Sequence, residues 1–99
     1  FGAKYNGKNA GSFGEFGTFS FYPAKLLGCF GDGGAIVTDD NVLANKLRLL
    51  RDHGRNDEGE VVEWGFNSRL DNLQAAILNK KLEKFDIDIS RRREIALKE

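Results

Sequence analysis

The tightest constraint on this chain is the stretch Ser20-Phe21-Tyr22-Pro23-Ala24-Lys25, which holds the only proline and is flanked by two strand patterns. On its N-terminal side, phenylalanines fall at 13, 16, 19 and 21, and Gly17-Thr18-Phe19-Ser20-Phe21 alternates as a short strand does. Pro23 has no N–H for a ladder and biases Tyr22 toward extended geometry, so the strand should stop near Phe21 or Tyr22. Beyond the loop, the glycines at 28, 31, 33 and 34 permit a tight return into Gly34 to Thr38, whose continuous apolar run reads as a buried strand. Lys25 is thereby left in a loop among small and apolar neighbours, where loss of water would ease deprotonation of its ammonium. Schiff-base lysines are made in this way. An ordinary solvated surface lysine is the alternative.

The remaining segments read as a framework around that loop. Asn6-Gly7 is a strong turn signal, and Phe1 to Gly11 reads as a solvated loop or irregular hairpin. Asp39-Asp40-Asn41 should end the second strand and cap a helix, with Leu43, Leu47 and Leu50 as its apolar stripe and Lys46, Arg48 and Arg51 on a solvated face. Strand, loop, strand and helix together imply an α/β layer architecture. Asp52 to Glu60 is polar and glycine-punctuated, a surface loop in which His53 and Arg55 could touch a phosphate but are more simply solvated.

Ser68-x-x-Asp71 has the form of a capping box, which places a helix start at Ser68. Leu70, Leu73, Ala76 and Ile77 would mark its buried face, continued by Leu78, Leu82, Phe85 and Ile89. The helix should run to about Phe85, with a break before Asp86-Ile87-Asp88-Ile89. Arg91, Arg92 and Arg93, with Glu94, Lys98 and Glu99, read as an exposed helical face on which the chain stops.

Composition removes several function classes. Fifteen basic and fifteen acidic residues leave no net charge, so no long-range field is expected to gather nucleic acid or an anionic membrane. No apolar run approaches the roughly 20 residues that cross a bilayer, and no secretory pattern opens the chain, so a cytoplasmic protein is expected. Cys29 stands alone and His53 is the sole histidine, too few ligands for zinc, and no metal site is expected. Cys29 reads as a small buried hydrophobe. Neither the G-x-G-x-x-G nor the G-x-x-x-x-G-K nucleotide pattern is present.

The segment from Gly11 to Asp40, with Ser20 ahead of Lys25 and Gly31-Asp32-Gly33-Gly34-Ala35 after it, resembles the sugar aminotransferases of the DegT/StrS type, pyridoxal-phosphate enzymes of fold type I. A second resemblance to the same family is the string Gly65-Phe66-Asn67-Ser68-Arg69-Leu70-Asp71-Asn72-Leu73-Gln74-Ala75-Ala76, which follows in the right order. The resemblance implies an α/β chain forming part of the three-layer α/β/α large domain. Those enzymes are several times longer. Residues 1–99, without methionine and opening Phe1-Gly2-Ala3, would then be a partial cofactor-binding large domain ending in the helix that leads toward the small domain.

By the same resemblance, Lys25 would hold pyridoxal phosphate as a Schiff base and move the substrate proton, and Ser20 would donate to the cofactor phosphate. Asn67 would reach that phosphate from the partner subunit of a homodimer with shared active sites. For Ser20 and Asn67, ordinary turn or capping roles are the alternatives. The parent enzyme would take an amino group from an amino-acid donor, glutamate by resemblance, and give it to a nucleotide-linked keto-sugar. The 99 residues alone should be inactive, because the acid paired with the pyridine nitrogen, the ring-stacking residue and the upstream phosphate loop would precede Phe1. Rival readings are a histidine-bearing dehydratase branch, against which Lys25 argues, a regulatory or non-catalytic cofactor binder, and a cofactor-free interaction domain.

Overall fold

A computed structural model describes residues 1–98. At its start, Asn6 and Gly7 both take positive φ, 47° and 77°, the geometry that two-residue hairpins favour because it matches strand twist. They join β1 (Lys4–Tyr5) to β2 (Lys8–Asn9), with Lys4 opposite Asn9. This is the hairpin expected there, and both strands are exposed.

The second ladder pairs β3 (Gly17–Ser20) antiparallel with β4 (Gly34–Val37), in a register from Gly17 opposite Val37 to Ser20 opposite Gly34. β3 ends at Ser20, earlier than Pro23 alone requires. The Phe21 N–H still reaches Gly33 O at 2.8 Å, but its carbonyl turns away to accept from Cys29. β4 ends at Val37 because Thr38 leaves the ladder, donating from Oγ1 to Glu15 O at 2.6 Å. The expected burial of β4 is not found. Ile36 is 49% and Val37 44% exposed, because among the described residues β4 has β3 as its single ladder partner and stays an edge strand.

Helix α1 (Asn41–Arg51) begins as expected, with Asp40 at the N-cap and its Oδ1 accepting from Val42 N at 2.7 Å and Leu43 N at 3.1 Å. Arg48 and Arg51 lie in the last turn, where the helix dipole favours cations. The chain then makes an excursion whose feet are the antiparallel bridges Asp52 to Asn67 and Arg55 to Val61. Its tip is closed by Asn56, whose Oδ1 accepts from Glu60 N at 2.8 Å. The expected surface loop is thus a tied hairpin-like arm.

Helix α2 spans Asn72–Leu82, so the capping-box start at Ser68 is not realised. Ser68 N donates instead to Arg51 O at 2.8 Å and Phe66 N to Leu50 O at 2.7 Å, which holds residues 66 to 68 extended along the end of α1. Asp71 occupies the N-cap position without a side-chain cap. Of the expected apolar residues Leu78 is buried, whereas Leu73 is 71% and Leu82 49% exposed. The break falls at Glu83 and Lys84, before Phe85 and so ahead of the expected position. Helix α3 (Phe85–Ala96) follows, with Leu97 at its C-cap. Arg91, Arg92 and Arg93 are exposed as expected, while Glu99 lies outside the described residues.

The core consists of Leu27, Cys29 and Leu78, with Phe21, Leu70 and Phe85 packed against it. Phe1 extends it, stacking on Phe19 with centroids at 4.6 Å and on Phe21 at 5.5 Å. The radius of gyration is 16.3 Å. A compact domain of this length would have about 13 Å, so the elements form an extended sheet-and-helix assembly around a small centre.

Candidate active site on the lysine loop

The loop that carries Lys25 has a locked neck. Phe21 O accepts from Cys29 N at 2.8 Å and lies 3.1 Å from Cys29 Sγ, which also faces Gly31 O at 3.2 Å. Cys29 is fully buried, as the sequence implied. Gly28 is required by close approach: a Cβ there would sit 2.6 Å from Tyr22 O and 2.7 Å from Pro23 O. Within the loop, Lys25 N donates to Tyr22 O at 2.9 Å, which makes Tyr22 to Lys25 a turn with Pro23 at the position its fixed φ suits.

Lys25 itself is exposed, and among the described residues its side chain has no hydrogen-bond or ion-pair partner. This corrects the expectation of a desolvated lysine. The small and apolar neighbours are present, but Leu27 and Cys29 pack against Leu78 of α2 and leave the lysine at the solvated tip of the loop. Ser20, also exposed, accepts the Tyr22 N–H on its Oγ at 3.2 Å. That is an ordinary turn role, and it leaves the hydroxyl hydrogen available to an anion.

Asn67 lies between the arm and α2. It lies on one wall of an open groove of about 990 Å³, whose other walls include Phe19, Ile36, Arg48 and Arg51; neither Ser20 nor Lys25 lines that groove. Its Oδ1 accepts from Arg69 Nη2 at 3.2 Å, and Arg69 Nη1 pairs with Asp52 at 2.9 Å. The amide NH₂ of Asn67 is left as a free donor. Ser20, the last residue of β3, and Lys25 therefore flank the Pro23 turn, while Asn67 lies on the segment before α2. His53 and Arg55 stand at the foot of the arm, where His53 N donates to Phe66 O at 2.8 Å, and neither lines the groove.

Two residues that the sequence did not single out grip the neck from α2. Phe30 N donates to Gln74 Oε1 at 2.8 Å, and Lys81 Nζ donates to Gly28 O while lying 5.6 Å from the Phe30 ring centroid. Their partners are far away in sequence and are backbone atoms, so spacing carried no signal for them. Away from the site, Lys98 and then Arg91 hold the Glu94 carboxyl below its usual range through side-chain hydrogen bonds. Among the described residues no cluster could hold a metal ion, and no helix is long and apolar enough to cross a membrane.

Residues 1–98 match the family model described as the DegT/DnrJ/EryC1/StrS aminotransferase family. The chain belongs to this family. It is 57% identical over 95 residues to the dTDP-3-amino-3,6-dideoxy-alpha-D-galactopyranose transaminase of Aneurinibacillus thermoaerophilus, covering 96% of this chain and 26% of that protein. To the UDP-2-acetamido-2-deoxy-3-oxo-D-glucuronate aminotransferase of Pseudomonas aeruginosa it is 47% identical over 96 residues, covering 97% of this chain and 27% of that one. Among solved structures, E coli GDP-4-keto-6-deoxy-D-mannose-3-dehydratase with bound hydrated PLP superposes with a TM-score of 0.83 at 32% identity, over 96% of this chain and 29% of that chain. This DegT-family chain spans about a quarter of the length of these curated relatives. Its α/β class and its place in fold type I are those expected from the sequence.

Proposed function

We propose that these residues are part of the cofactor-binding large domain of a pyridoxal-phosphate aminotransferase, with α3 leading toward the small domain. The observation that carries this reading is the lysine loop, which presents one unpaired amine at a proline turn above a locked neck, with a hydroxyl donor at the end of the preceding strand. The donor set fits the cofactor: an amine for its aldehyde, and neutral donors for its phosphate. Bound there, pyridoxal phosphate would supply an electron-withdrawing ring that takes up the electron pair left when a substrate C–H proton departs.

The chain's own residues divide the remaining work. Lys25 Nζ would hold the cofactor covalently and, once released, take and return the proton at that nitrogen. Ser20 Oγ–H would donate to the phosphate, and the Asn67 amide would donate to it from the partner subunit of a homodimer with shared sites. The second assignment rests on the resemblance of Gly65 to Ala76 to the family's own string. The exposure of Lys25 fits a site whose remaining walls come from other parts of the assembly.

The substrate we assign is a nucleotide-linked keto-sugar, with an amino-acid donor such as glutamate, in a cytoplasmic enzyme; the names of the relatives support the sugar class. The 99 residues alone are inactive in this reading. Borohydride reduction of the full-length protein with pyridoxal phosphate, followed by peptide mapping, should find the adduct on Lys25. An adduct on another lysine, or none, rejects the assignment.

A further inference from the structure

The geometry points to Gln74 as a positioning residue for the cofactor lysine, acting with Lys81 as a clamp from α2 onto the neck of the lysine loop. The inference rests on Lys25 being that lysine. Gln74 and Lys81 are two helical turns apart and therefore share one face of α2, with Leu78 between them. All three contact one short segment. Leu78 is buried with Leu27 and Cys29, Gln74 Oε1 accepts the Phe30 N–H at 2.8 Å, and Lys81 Nζ donates to Gly28 O. The Gln74 amide also lies over Gly31, where an added Cβ would meet Nε2 at 3.1 Å.

The neck is the only part of the loop with buried anchors. Between Phe21 and Cys29 the backbone is tied to itself by the Phe21 carbonyl and the Tyr22 to Lys25 turn, and neither bond reaches another element. The Lys25 turn is therefore held from two sides, by Ser20 and Phe21 on the β3–β4 ladder and by Leu27 to Phe30, whose distant partners lie on α2. Phe30 is 74% exposed, which leaves Gln74 as the partner that holds its N–H against exchange with water. Because α2 follows directly on Asn67 to Asp71, the clamp also joins the segment that offers a phosphate donor to the loop that offers the amine.

The test uses the full-length protein in cofactor-free and cofactor-loaded forms, with Gln74→Met, Gln74→Glu and Lys81→Met. Methionine keeps length and helix propensity but removes the acceptor, whereas glutamate keeps an acceptor oxygen at the same reach. In the cofactor-free form, Gln74→Met should speed amide exchange at Phe30 by about tenfold or more. In the loaded form it should lower kcat by about tenfold or more, keep KM within about twofold, and shift the pH midpoint of the bound cofactor's absorbance. Gln74→Glu should restore all three. Lys81→Met, reaching the same neck independently, should shift the midpoint in the same way and keeps the test decisive if Gln74→Met does not fold. An unmoved Phe30 exchange rate and midpoint, or a Gln74→Glu variant as impaired as Gln74→Met, overturns the clamp. Borohydride mapping of the unsubstituted protein separates the two failures: an adduct on Lys25 with unmoved variants rejects the clamp alone, and an adduct elsewhere rejects the cofactor reading and the clamp with it.

Discussion

The neck of the lysine loop and the arm from Arg55 to Phe66 lie at opposite extremes of how this chain satisfies its own groups. At the neck, a few residues share three buried side chains, a doubly used carbonyl and two side-chain grips from α2. The arm ties its backbone through Arg55 to Val61 and Asn56 to Glu60, with a Lys46 to Glu63 side-chain ion pair beside it, but leaves its apolar side chains in solvent. Val61 is 66%, Phe66 69% and Trp64 95% exposed. Backbone hydrogen bonding therefore shapes both regions, and burial distinguishes them. The neck is stable because of what it covers, the arm in spite of what it does not cover.

The sharpest way to break the comparison is functional, because the two regions should contribute to different active sites. Lys25 sits above the neck and Asn67 at the foot of the arm, and in the proposed homodimer they serve opposite subunits. In the full-length protein, Lys25→Ala should lower kcat/KM by about a thousandfold or more. Asn67→Asp should be nearly as severe, since a carboxylate would face the cofactor phosphate with like charge. A mixed dimer keeps one site with an intact lysine and an intact partner amide, so random reassembly should restore roughly a quarter of the activity. Verified mixed dimers with no recovered activity reject sites shared between subunits.

Stability should separate the regions next. Leu78 is 5% exposed and closes the neck, so Leu78→Ala in the full-length protein should cost about 2–5 kcal/mol in denaturant unfolding. A loss below about 0.5 kcal/mol, the range of ordinary surface changes, shows that the neck is not a packed centre.

What the sequence made legible follows the same division between local and distant causes. The Asn6-Gly7 turn, the Asp40 cap and the Pro23 turn between two strands depend on neighbours close in sequence, and Cys29 was legible as a small apolar residue although its cover comes from Leu78 of α2. The start of α2 did not follow its capping box, because Ser68 and Phe66 are recruited by carbonyls at the end of α1. Of the expected apolar face Leu78 is buried and Leu73 is not. The apolar run of β4 implied burial, yet burial depends on layers that a local pattern does not contain. At the site, Lys25, Ser20 and Asn67 stood out by motif, whereas Gln74 and Lys81 act on backbone atoms of a distant loop and had no pattern to reveal them.

The arm offers a smaller effect that sharpens the contrast. Trp64→Ser in the 99-residue chain should change unfolding free energy by less than about 0.5 kcal/mol, because the side chain covers almost nothing. Binding of an apolar dye should fall at the same time, since one of the most exposed aromatic surfaces is removed. A large stability loss with unchanged dye binding places Trp64 in a packed environment and removes the distinction drawn between arm and neck.

The smallest effect is expected where neither burial nor a shared site is involved, on α3. Glu94 is fully exposed and is paired with Lys98 and Arg91, which hold its carboxyl below the ordinary value of 4.5. A carboxyl whose value is lowered on folding contributes stability above its unfolded value and loses that contribution as pH falls through the folded one. The contribution is therefore intact at neutral pH and is lost in acid, as the folded carboxyl becomes protonated. Both partners are solvated and lie within a helical turn of Glu94, so screening should weaken the pairs further, and about 0.5 M salt should remove most of what remains. In the full-length protein, Glu94→Gln should slightly lower the urea midpoint at pH 7 and low salt and leave it unchanged at acid pH. A difference that persists at high salt, or one that grows on acidification, contradicts the ion-pair account and ties Glu94 to packing that the neck, and not α3, is argued to own.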